Sequence, residues 1–142
     1  MSADRKVFVD TNVLVYLFDV SAPLKQQRAR SLVEAEVAGP SLVISTQVLQ
    51  EFYVSVTRKL AKPLSPIEAE KAAHNLAALH VIELDTDVVL AAIRRSREQK
   101  LSLWDALIVE AALEGGCRVV LSEDLQHGRQ FGPLRIENPF RL

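Results

Sequence analysis

With one cysteine, Cys117, in 142 residues, the chain cannot build an internal disulfide framework. Nothing then calls for an oxidising compartment, and the expected address is the cytosol. No apolar run approaches the roughly 18 residues that a membrane helix needs. Residues Met1 to Lys6 lead within a few positions into a short strand, without the apolar stretch of a signal peptide, so an unanchored protein is expected. Glycine and proline are scarce, at five and six, with no low-complexity run or internal repeat, which excludes linkers and solenoids. The five glycines, Gly39, Gly115, Gly116, Gly128 and Gly132, form no phosphate-cradling loop. His74, His80 and His127 lack the spacing of metal ligands. Neither sign of charge is in excess: 17 Lys and Arg against 18 Asp and Glu leave −1, so global charge does not advertise nucleic acid.

What is present suits one globular domain over residues 1–142. About half the residues are apolar and a quarter are charged. Lys6 to Asp10 reads as a strand ending on an acid, followed by a short helix over 12–18. A helix over 23–38 stops at the breaker pair Gly39-Pro40, and Leu42-Val43-Ile44 is a buried strand. Ser45 or Thr46 caps the next helix. Ser65-Pro66-Ile67-Glu68 is a capping box with proline at the first helical position, opening a helix to about His80, before a strand over 81–84. A helix over 86–99 follows, then a second box-like start at Ser102-Leu103-Trp104-Asp105, whose helix ends at Gly115-Gly116. A strand over 118–121, a polar loop and an alternating edge strand over 134–137 complete the chain. Short apolar strands alternating with helices predict an α/β fold with a mainly parallel sheet covered on both faces.

In such sheets ligands bind beyond the carboxyl ends of the strands. Asp10 ends the first strand, and Glu123 and Asp124 follow directly after the strand that reaches Leu121. Asp10 can act as a helix N-cap, but Asp10-Thr11-Asn12 offers three capping side chains where one serves. Glu51 falls at the border of an apolar helix face with Val48 and Ser55, a position that also suits a solvent-facing glutamate. Asp105 lies in a first helical turn, where a capping acid is the plain reading. Trp104 reads as a core residue because Leu107, Ile108 and Ala111 follow at helical spacing. Stacking of Trp104 or Tyr16 on a base is the alternative.

Taken together, Val7-Phe8-Val9-Asp10-Thr11-Asn12, then Glu51, then Leu103-Trp104-Asp105-Ala106-Leu107-Ile108, then Leu121-Ser122-Glu123-Asp124 resemble the PIN domain. More narrowly, the chain is similar to the VapC-type toxins of toxin–antitoxin pairs. The resemblance runs from Lys6 to Phe140. It implies a three-layer α/β/α fold in which Asp10, Glu51, Asp105 and Asp124 converge on Mg²⁺ or Mn²⁺ to hydrolyse RNA. Thr11, Asn12, Ser122 and Glu123 are implied as supporting residues. Asp124 is preferred over adjacent Glu123 as the fourth acid because Ser122-Glu123-Asp124 fits the family's Ser/Thr-x-Asp pattern. A small antitoxin and a homodimer are the implied partners. A non-catalytic RNA-binding or scaffold member of the fold, and a housekeeping RNA-processing nuclease, are the alternatives.

The chemistry is coherent. A divalent ion activates water and neutralises phosphoryl oxygens, and Mg²⁺ needs only one or two direct carboxylates because it keeps its waters. Two carboxylates about 5 Å apart repel by roughly 3 kcal/mol at an effective dielectric near 20, so a purely structural cluster of acids is costly. The acids also repel RNA, so basic residues must guide its backbone. The clusters Lys25/Arg28/Arg30, Arg58/Lys59/Lys62 and Arg94/Arg95/Arg97/Lys100 are available, each otherwise a solvated helix face. Arg94, Arg95 and Arg97 are the expected RNA contacts. An aspartyl-phosphatase would want an acid where Asn12 stands, and a receiver domain a lysine where Ser122 and Glu123 stand.

Overall fold

The computed structural model describes residues 5–37 and 41–141. In chain order the elements are β1 (Val7–Val9), α1 (Thr11–Tyr16), α2 (Pro23–Val37), β2 (Leu42–Ser45), α3 (Thr46–Arg58) and α4 (Pro66–Leu76). They continue with β3 (His80–Ile82), α5 (Thr86–Gln99), α6 (Leu103–Glu114), β4 (Val119–Leu121), β5 (Gln130–Phe131) and β6 (Leu134–Glu137). The expected break at Gly39-Pro40 lies outside the described residues.

The strands form one sheet in the order β3-β2-β1-β4-β6-β5, parallel except for β5 against β6. Every residue of β1, β2 and β4 is buried. Successive strand residues point to opposite faces, so burial of all of them requires cover on both. The helices supply it in two groups. α1 to α4 pack on one another, α5 packs on α6, and both α3 and α6 lie against β2. The result is the expected three-layer α/β/α arrangement. Phe8, Ile44, Phe52, Leu134 and Ile136 are among its fully buried side chains. α6 is apolar nearly all round, with Ala106 to Val109, Ala111 and Ala112 buried, because it is enclosed between the sheet and α5.

Two expectations change. β6 is an interior strand, paired with β4 through Val120↔Ile136 and with β5 through Phe131↔Leu134; the edge is β5. Its alternation of buried Leu134 and Ile136 with Arg135 and Glu137 records one covered face, which is a separate matter from having one paired side. Two residues of β5 joined through Gly132, at φ 61°, are too short a strand to show a period. α4 also ends earlier than expected, at Leu76, and His80 opens β3 by pairing with Val43. The Ala77-Ala78-Leu79 stretch favours helix locally, and sheet pairing overrides it.

α6 ends in a Schellman arrangement: Cys117 N donates to Ala112 O at 2.9 Å and Gly116 N to Leu113 O at 3.0 Å, with Gly116 left-handed at φ 72°. α5 ends on the only left-handed non-glycine among the described residues, Lys100 at φ 54°. Open space surrounds the position of a Gly116 Cβ, so Gly116→Ala meets only the backbone penalty. Denaturant unfolding is expected to show a loss of about 1 kcal/mol for Gly116→Ala and a gain of up to about 1 kcal/mol for Lys100→Gly. Equal effects of the same sign would contradict this reading of the two helix ends.

Candidate active site

Chain connections leave β1 and β4 in opposite directions along the sheet, so the crevice beyond their carboxyl ends is the switch point where α/β sheets bind ligands. The register pairs Val9 with Leu121 and thereby sets Asp10 beside Ser122. Asp10 N donates to Leu121 O at 3.0 Å. The Asp10 carboxylate then collects donors from both strands' continuations. Thr11 N reaches Oδ1 at 2.7 Å, Ser122 Oγ reaches Oδ2 at 2.7 Å, and Asn12 Nδ2 reaches Oδ2 at 3.3 Å. Asp10 does cap α1, and it sits nearly buried with an edge toward the crevice.

Ser45, fully buried at the end of β2, caps α3 through Val48 N and so aims the first turns of that helix along the same edge. Glu51 follows from α3. Its Oε1 accepts from Thr11 Oγ1 at 3.0 Å and its Oε2 from Gln47 Nε2 at 3.4 Å. Asp105 comes from α6, where Ser102 Oγ accepts from Asp105 N at 3.0 Å. The return bond that Glu68 makes to Ser65 N in α4 is missing here. Aspartate is one methylene too short to reach back, so the Asp105 carboxylate has no hydrogen-bond partner among the described residues. Asp124 is exposed, and its Oδ2 accepts from Asn12 Nδ2 at 3.2 Å. All four acids line one cleft of about 600 Å³.

Glu123 takes a different part. Its carboxylate accepts from Tyr16 OH at 2.6 Å and from Lys25 Nζ at 2.5 Å, and its backbone N donates to Asn12 Oδ1 at 3.0 Å. Burial pushes this carboxyl up, but the bonds from Lys25 and Tyr16 and the lysine charge outweigh it and hold the group below the usual carboxylate range. Glu123 therefore ties α1, α2 and the segment after β4 together. Asn12 bridges Asp10, Ser122, Asp124 and Glu123, which places it at the centre of the supporting network.

Burial raises the Asp10 carboxyl from 3.8 to about 6, with the charges of Glu51 and Asp124 adding to it against the bonds from Ser122 and Thr11. A cation would relieve that cost. The donors are all carboxylate oxygens, which suits a hard divalent ion. Among the described residues no three acids, histidines or cysteines close into one coordination shell. An ion that keeps several waters and takes one or two direct carboxylates fits this open arrangement; one that needs a protein cage does not.

The structure revises the aromatic and basic residues. Trp104 is 62% exposed and lines the cleft, contrary to the expected core role. The apolar spacing that pointed inward belongs to Leu107, Ile108 and Ala111, which are buried, whereas Trp104 in the first turn lines the cleft beside Asp105. Arg94, Arg95 and Arg97 lie on α5 and are absent from the cleft lining. Arg95 pairs with Glu110 at 2.7 Å and Arg94 with Glu98 at 3.2 Å. Among the described residues, the cation in the cleft lining is Lys59. Sequence reading also missed Gln47, nearly buried, which holds Glu51 and donates to Trp104 O at 3.3 Å while its own Oε1 lacks a partner among the described residues. Its position four residues before Glu51 was the available signal.

The Asp10 shift has a checkable sign. The folded state keeps a proton on Asp10 up to about pH 6, whereas the unfolded chain releases it near 3.8. Stability from this group is complete below 3.8 and is lost as pH rises through about 6. In excess chelator, wild type is expected to lose up to about 3 kcal/mol relative to Asp10→Asn between pH 4 and pH 7. Chemical denaturation of both proteins across that range measures it, and a pH-independent difference would contradict the buried, proton-retaining Asp10.

No curated protein matches the sequence. Among solved structures, a toxin–antitoxin complex from Klebsiella pneumoniae contains a chain that superposes with a TM-score of 0.72 at 19% identity, covering 96% of this chain and 100% of that one. VapC20 from Mycobacterium tuberculosis, described as a sarcin–ricin-loop-cleaving toxin, gives a TM-score of 0.65 at 20% identity over 84% of this chain and 90% of that one. The DNA-bound VapBC of Salmonella typhimurium gives 0.65 at 20% identity over 95% and 98%. At this level of identity these likenesses concern the fold, and it is one shared with VapC toxins. The PIN domain family model matches residues 7–130, from β1 through β5's first residue and across all four acids, and the chain belongs to the PIN domain family.

Proposed function

We propose that this protein is a ribonuclease that hydrolyses RNA phosphodiester bonds with Mg²⁺ or Mn²⁺ at Asp10, Glu51, Asp105 and Asp124. The observation that carries the reading is their convergence. Four carboxylates from four separate segments line one cleft, and none has an ion-pair partner among the described residues. A module that only bound RNA would gain nothing from acids that repel phosphate. A bound divalent ion supplies charge neutralisation at the phosphoryl oxygens and acidification of a water.

The chain's own residues preset this site. Thr11 N and Ser122 Oγ occupy one acceptor direction on each Asp10 oxygen, which fixes the carboxylate's rotation. Thr11 Oγ1 and Gln47 fix Glu51 in the same way. Asp105 and the second oxygen of Asp124 carry no such restraint, leaving them free to adjust to a cation and its waters. Glu123, already committed to Lys25 and Tyr16, braces the loop that presents Asp124.

Cleavage of single-stranded RNA is expected in Mg²⁺ or Mn²⁺ and is expected to stop in excess EDTA. Asp10→Asn and Asp105→Asn should each lower turnover by 10²-fold or more, on the order of 3 kcal/mol of transition-state stabilisation. At saturating metal, Asp124→Asn should cost more activity than Glu123→Gln. Undiminished cleavage in EDTA sinks the metal mechanism, and the reverse order of the last pair moves the fourth acid to Glu123.

The proposed biological role is that of the toxin in a toxin–antitoxin pair, a homodimer acting on cellular RNA and held in check by a small antitoxin. Two observations support it: the fold shared with VapC toxins, and an acidic cleft that an arginine or lysine of a partner tail would fit by charge-assisted hydrogen bonds. Expression alone should arrest bacterial growth, Asp10→Asn should remove the arrest, and a small protein encoded beside it should restore growth and co-purify. A chain harmless at high level yet active on RNA in vitro would refute the toxin role and leave the nuclease standing.

A further inference from the structure

The cleft continues past the acids. A smaller recess of about 160 Å³ shares Asp105 and Asp124 with it and is walled beyond them by Leu101, Leu125, Arg129 and Phe131. Arg129 is the one cation among the described residues that line this recess, as Lys59 is in the larger cleft. The two therefore stand on opposite sides of the Asp105–Asp124 boundary.

Arg129 is held as a binding group would be. Its backbone is fixed on both sides: Gly128, left-handed at φ 85°, donates to Ile136 O at 2.8 Å, and Ile136 N donates to Arg129 O at 2.9 Å. Its guanidinium lies 4.7 Å from the centroid of Phe131, a buried ring anchored in β5 by the pairing with Leu134. One donor, Nη2, reaches Gln99 O at 3.4 Å. A guanidinium carries five N–H donors in a planar fork, and stacking on a ring leaves the in-plane donors available. Arg95 provides the contrast. It lies over the same ring at 5.7 Å, but its charge is matched by Glu110 at 2.7 Å. Arg129 has no carboxylate within ion-pair distance among the described residues, although Asp105 and Asp124 line the same recess.

We propose that Arg129 binds a backbone phosphate of the RNA strand, adjacent to the scissile one, as the strand crosses from the large cleft over Asp105 and Asp124 into the small recess. This rests on the nuclease reading above. It moves the phosphate contact from the α5 arginines expected from the sequence to a residue on the β4–β5 connection. The contact positions the strand without reading its sequence, because a phosphate carries no base identity.

The test uses the full chain with Asp10→Asn as background, so that RNA is not consumed. Binding of a short fluorescein-labelled single-stranded RNA of mixed sequence is followed by anisotropy in Mg²⁺, between about 50 and 200 mM salt. Arg129→Gln is expected to weaken binding roughly tenfold at the low-salt end and to flatten the slope of log affinity against log salt by about 0.7, the share of one phosphate on a single strand. Arg129→Lys should restore the slope while recovering only part of the affinity, since it keeps the charge and loses the fork. In the otherwise wild-type chain, the loss on Arg129→Gln should fall on KM more than on kcat.

A merely structural Arg129 would lower the melting temperature and leave the salt slope unchanged, and that result overturns the proposal. An unchanged slope for Arg129→Gln with a flattened one for Arg97→Gln returns the contact to α5 and also overturns it. No RNA binding by the Asp10→Asn chain, together with an unaltered KM for Arg129→Gln, does the same. Absence of cleavage by the wild-type chain, with the predicted binding changes present, defeats the nuclease reading instead and leaves the phosphate contact in place.

Discussion

The hydrogen bond from Ser122 Oγ to Asp10 Oδ2 crosses the seam between β1 and β4, and the site is organised around it. It exists because two three-residue apolar strands pair in parallel with Val9 opposite Leu121, so that the next residue of each chain segment is polar and faces the other. A slip of one residue would turn both side chains to opposite faces of the sheet. The seam also supplies the environment. Fully buried strands on either side desolvate Asp10 and make its charge costly, which is why so many donors and, in the proposed function, a cation are gathered there.

From that seam the remaining acids are positioned in graded freedom. Among the described residues, Glu51 is gripped by Thr11 and Gln47, the Asp124 carboxylate is bonded by Asn12 alone, and the Asp105 carboxylate is left bare by a capping arrangement that its short side chain cannot close. Asn12 carries the coupling between the two sides, bonding residues on both β1 and β4 continuations. A rigid centre with adjustable periphery suits an ion that brings its own waters, and it accounts for the lack of a closed cage among the described residues.

Charge away from the centre is distributed by the same economy. Lys25 is spent on Glu123 and Arg95 on Glu110, so two cations near the site stabilise the frame. Among the described residues, the cations left lining the cleft and recess are Lys59 and Arg129. Lys59 belongs to a basic run visible in the sequence, whereas Arg129 stands in a polar loop with no cluster to mark it. Charge density along the chain measures solvated helix faces. Proximity to the acids is decided by tertiary pairing, here of the Gly128–Arg129 loop with Ile136 of β6.

Local chemistry in the sequence by itself determined the α/β class, the parallel character of the sheet, most element boundaries and the placement of Asp10 and Asp124 at strand ends. These follow from short-range rules: apolar runs, capping residues and the carboxyl-end rule act over a few residues. Four matters were settled only by tertiary structure. β6 became interior because a two-residue β5, too short to carry a period, pairs outside it. Trp104 went to the cleft because the first turn of α6, which also carries Asp105, opens on it, and helical spacing among Leu107, Ile108 and Ala111 does not extend burial to that turn. Glu123 and Asp124, adjacent and chemically alike, took separate roles because Lys25 and Tyr16 arrive from other elements to claim one of them. Gln47 gained Trp104, Asn12 gained Asp124 and Arg129 gained Gln99 across 57, 112 and 30 residues, distances over which no local pattern can act.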